Sequence, residues 1–235
     1  MDRVFTLSED GSEVTQNMGF TVAKLPLGYD TRLFYVQREE IRAATRERLG
    51  LTCPTIAYFG RQVPEKGIHI LLEALAQISD RPWQLLMDHF AVDSAYARQL
   101  TTQIDALGLC DRVVFFESSH EDMPNFMNAA DLVVLPSIST PKWKEQYGRV
   151  IQEVQACGRV MVASRSGAIP EVMDGHGHLV PEGDVSALAA TLRALLARGE
   201  FLDLDAAASA RANRSIERQA ELLHSYMLEE GGSRA

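Results

Sequence analysis

Residues 55–75 read T-I-A-Y-F-G-R-Q-V-P-E-K-G-I-H-I-L-L-E-A-L, and this one stretch carries both periodicities of an α/β domain. The run 55–60 is apolar without alternation, which suits a strand buried on both faces. A polar loop with a glycine at each end follows, and from Ile68 the apolar residues recur at helical spacing. The pattern repeats down the chain. Strand-like runs stand at 84–88 (Q-L-L-M-D), 112–116 (R-V-V-F-F), 131–135 (D-L-V-V-L) and 160–163 (V-M-V-A), with a last short one near 178–180. Helical segments fill the gaps at 68–78, 92–107, 124–129, 149–157 and 185–197. Such alternation predicts an α/β fold built on a doubly wound, mostly parallel, Rossmann-like sheet.

Working outward, 3–8 and 21–26 are strand-like, Gly28 and Asp30 mark a turn, and 39–49 is a charged helix closed by Gly50. At the other end, 206–228 places Ile216, Ala220, Leu223 and Met227 on one stripe of an amphipathic C-terminal helix that must dock on something. The expected organisation is a leading segment 1–29, a main domain 30–205, and a helix with a frayed tail, 206–235.

An apolar content of 46% over 235 residues is ample for a sizeable core. The net charge of −9, with no Lys/Arg-rich run, argues against nucleic acid or an anionic membrane surface as partner. Cys53, Cys110 and Cys157 are an odd, scattered set without C-x-x-C, which suits a reducing compartment better than a disulfide framework. With neither a secretory leader nor a run of membrane-spanning length, the chain reads as a cytoplasmic protein with no integral membrane segment.

Ligands of open α/β sheets bind beyond the carboxyl ends of the strands. After the strand at 55–60 the loop holds Arg61 and Lys66, two cations able to clamp a diphosphate. After the strands at 84–88 and 112–116 come Asp88, His89, Glu117, Ser118 and Ser119, a polar rim able to hydrogen-bond a base. Residues 144–158, K-E-Q-Y-G-R-V-I-Q-E-V-Q-A-C-G, put Glu145 in a loop, Gly148 at a helix start and Glu153 one turn in. The unpaired N–H groups of that helix start make an anion site between two carboxylates, which points to a phosphorylated polyol. Taken alone, the same stretch also fits two solvated glutamates beside an ordinary helix. Asp203 and Asp205 form a D-x-D, but at a predicted helix start, where acidic residues suit the dipole. His176 and His178 lack further ligands nearby, so no metal site is expected. Glu171 reads as the start of a short helix or as a ligand contact.

Four blocks, G-R-Q-V-P-E-K-G-I-H-I-L-L-E-A-L, E-Q-Y-G-R-V-I-Q-E-V-Q-A-C-G, S-G-A-I-P-E-V and L-V-P-E-G-D, together resemble the C-terminal half of a GT-B-fold retaining glycosyltransferase of the group-one, glycogen-synthase-like superfamily. They come in that family's order and cover about residues 20–200. The resemblance implies binding of a nucleotide-diphosphate sugar and its use in carbohydrate or polysaccharide biosynthesis. Arg61 and Lys66 would neutralise the diphosphate, Glu145 would hold sugar hydroxyls and Glu153 the ribose hydroxyls, and the backbone at Tyr147, Gly148 and Arg149 would meet sugar and phosphate. The sugar would pass to an acceptor hydroxyl with retention, without a metal or other cofactor. M-D-H-F-A at 87–91 and F-F-E-S-S at 115–119 depart from the family's glycine-containing turns and touch the expected base pocket, and Arg159-Val160-Met161 changes how the next strand begins. Residues 1–29 resemble only the last strand-helix-strand unit of the family's acceptor domain, so that domain would be supplied elsewhere, either in trans as a separate chain or subunit or by coding sequence upstream of Met1. The alternative is a non-catalytic nucleotide-sugar-binding module; an epimerase fits the 145–153 block less well.

Overall fold

The computed structural model describes residues 3–89, 94–117 and 121–232. Chain order opens with β1 (Arg3–Thr6), α1 (Glu9–Asn17) and β2 (Thr21–Lys24), in which β1 and β2 pair in parallel as a separate two-stranded sheet. There follow α2 (Glu39–Arg48), β3 (Thr55–Tyr58), α3 (Ile68–Ala76), β4 (Gln84–Asp88), α4 (Ala95–Ala106), β5 (Val113–Phe116), α5 (Met123–Ala129), β6 (Leu132–Leu135), α6 (Arg149–Ala156), β7 (Val160–Ser164), α7 (Ile169–Met173), β8 (His178–Val180), α8 (Val185–Arg198), α9 (Leu204–Arg214) and α10 (Ile216–Gly232). Strands β3 to β8 form one sheet in the order β5-β4-β3-β6-β7-β8, every pairing parallel. The expected fold class is the observed one.

Burial on both faces explains why these strands read as unbroken apolar runs. Along β3, Ile56 and Tyr58 face one core and Ala57 the other; β6 and β7 divide in the same way, Leu132, Val134, Val160 and Val162 against Val133, Leu135, Met161 and Ala163. The first core is closed by Ile68, Leu71 and Leu75 of α3, Leu100 of α4, and Leu188 and Leu192 of α8. The second is closed by Phe126 and Met127 of α5 and by Ile151 and Val154 of α6. Side-chain caps start the helices where the sequence offers them, with Ser94 accepting from the Ala97 N–H, Asp184 from Ala187 and Asp203 from Ala206. Asp203 of the D-x-D is thus a helix cap.

The winding reverses between β3 and β6. From β3 the chain steps outward to β4 and β5, then returns to lay β6 on the other side of β3. The loops leaving these two strands meet at the sheet's carboxyl edge. There a Cβ on Gly67 (φ +68°) would stand 2.0 Å from the Pro136 carbonyl oxygen, and the Ile138 N–H donates to the Glu65 carbonyl at 2.8 Å.

The tail departs from the single amphipathic helix expected over 206–228. Ser215 is extended (φ −73°, ψ 157°) and divides α9 from α10. It does so because it pairs with the segment after β2: Tyr29 N–H donates to Arg214 O and Ile216 N–H to Tyr29 O, both at 3.0 Å. Ile216 and Met227 of the expected stripe stay exposed, at 49% and 64%. Tyr226 docks instead, its ring 5.7 Å from that of Phe5 and its hydroxyl donating to the Lys24 carbonyl at 3.1 Å.

Gly67→Ala should therefore be among the costlier single changes in the chain. It forces a left-handed backbone on an L side chain and drives a methyl into a carbonyl oxygen, and we expect a loss of about 2–4 kcal/mol in urea denaturation. Gly50→Ala, which has the same sign of φ but open space around it, should cost about 1 kcal/mol.

Candidate functional site

A cleft of about 420 Å³ opens at this reversal, lined by the loop after β3, by α5 and by the start of α6. Arg61, Lys66, Glu145, Gly148, Arg149 and Glu153 all line it. Residues from two loops about eighty positions apart in sequence are thereby brought to one place. Tyr147 is turned away: its buried side chain donates to Gln152 Oε1 (3.0 Å) or to the Leu27 carbonyl (3.2 Å), leaving only its backbone at the turn. Phe59, Met123 and Met127 also line the cleft; nothing in their local sequence marks them for it. A larger cavity, about 670 Å³, lies beyond the same loop against Tyr96 and Gln99, with no carboxylate among the described residues of its wall.

Lys66 and Glu145 do not face each other across open space. The ammonium donates to Glu145 Oε2 at 2.5 Å, and the two side chains are 12% and 9% exposed. Glu145 is fixed further by the Ser137 hydroxyl at 3.3 Å and, through its own carbonyl, by the Ala168 N–H at 2.8 Å. A Cβ on Gly167 would stand 2.1 Å from that carbonyl oxygen, so the S-G-A-I-P-E-V block supports the glutamate rather than lining the cleft. Arg61 is exposed at the mouth.

Gly148, with φ +74°, starts α6 without a side-chain cap, which leaves the Arg149 and Val150 N–H groups without a helical partner beside the cleft, while the Ile151 N–H turns back to the Gly148 carbonyl at 2.8 Å. Glu153 lies one turn in, 3.4 Å from Arg149 Nε, its side chain 13% exposed. Burial pushes its carboxyl up to about 7, against the opposing pull of Arg149.

The polar rim is only partly visible. Ser118 and Ser119 lie outside the described residues. The Asp88 carbonyl accepts from the Gln62 side chain at 2.7 Å, and the His89 ring packs 5.2 Å from Phe115. Glu171 lies in the first turn of α7, as one reading held, and it also binds across to the leading unit. It accepts from the Glu9 N–H at 2.9 Å and from Lys24 Nζ at 3.0 Å, partners too distant in sequence to be legible there. Lys144 reaches Asp10 of the same unit at 2.5 Å.

A sequence model of the family described as Glycosyl transferases group 1 matches residues 53–198, well over half the chain. The chain belongs to this family. Among group-one glycosyltransferases similar to it is D-inositol 3-phosphate glycosyltransferase of Mycobacterium sp. (strain KMS), 39% identical over 163 residues, which are 67% of this chain and 36% of the relative. A GDP-mannose-dependent monoacylated alpha-(1-6)-phosphatidylinositol monomannoside mannosyltransferase of Corynebacterium glutamicum is 35% identical over 184 residues, 75% of this chain and 47% of that one. The chain thus spans between a third and a half of the length of these relatives. In structure it is similar to Anabaena HepE in complex with UDP, with a TM-score of 0.85 and 26% identity over 96% of this chain and 63% of that one. The GT-B half expected from the sequence is the architecture observed. No helix among the described residues is long and apolar enough to cross a membrane.

The raised Glu153 carboxyl gives a signed expectation. A folded-state value near 7 lies above the ordinary glutamate range, so burial favours the protonated form; that contribution is full below about pH 4 and is lost as pH rises through about 7. Glu153→Gln should leave urea stability nearly unchanged at about pH 5 and raise it relative to the unaltered chain at about pH 8.

Proposed function

We propose that this chain is the donor-binding half of a glycosyltransferase that moves a sugar from a nucleotide-diphosphate sugar to an acceptor hydroxyl with retention of anomeric configuration. The observation that carries this reading is the convergence of Arg61, Lys66, Glu145, Glu153 and the open start of α6 on one cleft at the point where the sheet reverses. Two cations and a helix start suit a diphosphate; two carboxylates on either side suit hydroxyl-rich groups. Support from outside comes from HepE, whose structures hold UDP and UDP-glucose, and from the mannosyltransferase named for its dependence on GDP-mannose.

In this reading the diphosphate lies against the first turn of α6, with Arg61 and Lys66 on its other side. Glu153 accepts from the ribose hydroxyls and Glu145 from sugar hydroxyls, while Phe59, Met123 and Met127 give the base an apolar, polarisable wall. As the bond from anomeric carbon to diphosphate oxygen breaks, negative charge grows on the departing diphosphate and positive charge on the sugar ring. Once Lys66 has turned from Glu145 to the bound diphosphate, the cations and the N–H groups stand where the negative charge develops, which lowers the barrier to the chemical step. Neutralisation is assigned to Arg61 and Lys66 rather than to a metal. The acceptor hydroxyl would be brought by the other half of a two-domain enzyme, supplied outside these 235 residues, and residues 1–29 would be the last unit of that half. The exposed Met18 and Phe20 of the leading unit, at 70% and 50%, suit a face that packs on such a partner.

A non-catalytic nucleotide-sugar-binding subunit would share the donor site. Supplying the acceptor half and following the product by NMR separates the two: transfer with the anomeric configuration kept supports the enzyme, and donor binding without transfer or hydrolysis supports the subunit.

The site assignment has its own test in calorimetry with UDP and GDP. Arg61→Ala and Lys66→Ala should each weaken the preferred nucleotide about 10- to 100-fold, the scale of one sheltered charge-assisted contact. Circular dichroism checks that Lys66→Ala, which strands Glu145, still folds. Unchanged affinity in folded variants would sink the assignment.

A further inference from the structure

Trp143 does not line the cleft, yet its ring centroid lies 5.4 Å from Lys66 Nζ. The ring is held there by a small antiparallel turn, in which Thr140 N–H donates to the Trp143 carbonyl at 2.7 Å and Trp143 N–H to the Thr140 carbonyl at 3.3 Å. The Lys66 ammonium is thus met from two directions, by the Glu145 carboxylate at 2.5 Å and by the indole, and its side chain is only 12% exposed. These two partners are not equivalent. The carboxylate takes a hydrogen bond that an incoming phosphate oxygen must share or displace. An aromatic face attracts a cation through its quadrupole without binding any one N–H so strongly, so it steadies the ammonium while leaving its donors free to turn.

We infer that Trp143 is the positioning residue for Lys66, holding the ammonium at the cleft wall while it passes between Glu145 and a ligand diphosphate. This rests on the donor-site reading above and deepens it. Trp143 acts through Lys66 and touches neither the sugar nor the nucleotide. Sequence reasoning had no means of seeing it, because its ring belongs to a different loop from the lysine that it serves.

The test uses the full chain with Trp143→Leu, which keeps bulk and removes the aromatic face, and Trp143→Phe, which restores a smaller one. In calorimetry Trp143→Leu should weaken UDP or GDP about three- to tenfold, the range of one sheltered cation–π contact. Trp143→Phe should recover most of that loss, and the corresponding monophosphates should be bound as before. In a Lys66→Met background Trp143→Leu should add nothing. The chain has two tryptophans, and Trp83 is fully buried in the core; a diphosphate should therefore change the indole emission of the unaltered chain and leave that of Trp143→Phe unchanged. Equal weakening of mono- and diphosphates, an additive effect on Lys66→Met, or an emission unmoved by saturating diphosphate would each overturn the positioning role while leaving the donor site standing. Failure of the unaltered chain to bind either UDP or GDP would overturn the donor site itself, and the positioning role with it.

Discussion

Two glycines set the spacing on which the cleft depends. Gly67 lies so close to the Pro136 carbonyl, and Gly167 to the Glu145 carbonyl, that a single methyl at either would overlap backbone. Because the backbones approach this closely, side chains from the loops after β3 and β6 can touch, and Lys66 reaches Glu145. The sheet supplies the frame, since the reversal of winding between β3 and β6 leaves a crevice that no crossing helix fills.

The cleft holds an excess of positive charge before any ligand arrives. Arg61, Lys66 and Arg149 stand against Glu145 and Glu153, and burial holds Glu153 partly protonated near neutral pH. A buried ion pair is costly to desolvate and adds little net stability. The Lys66–Glu145 pair keeps each charge compensated in the empty cleft, and a hydroxyl-bearing anion would replace the compensation for both at once.

Much of this was legible in the residues. The apolar runs at 55–60 and 131–135 gave β3 and β6 to within two residues, because burial on both faces leaves an unmistakable composition. The loop cations and the two glutamates were found because strand ends are where such a fold does chemistry. Three things were hidden. Tyr147 stood beside the right glycine but turns its side chain inward to Gln152 and Leu27. The tail read as one helix because 206–214 offers strong helix formers, and the break at Ser215 comes from pairing with Tyr29, a contact with no local signal. Phe59, Met123 and Met127 carry no sequence mark of their place on the cleft wall, because all three also pack with the core on that face of the sheet.

That pairing of Tyr29 with Ser215 bears on how the leading unit is joined to the rest of the chain. The chain leaves the leading unit through residues 25–29 and returns to it through residues 215–216, and the two crossings lie side by side, joined by backbone hydrogen bonds, with Gly28 packed against the Ile216 backbone. The part-buried pair Lys24–Glu171 and the exposed pair Lys144–Asp10 add ties from the leading unit to α7 and to the loop of Glu145. Pairs this accessible to solvent weaken as salt rises, so ionic strength bears on how firmly the leading unit is held against the loop of Glu145.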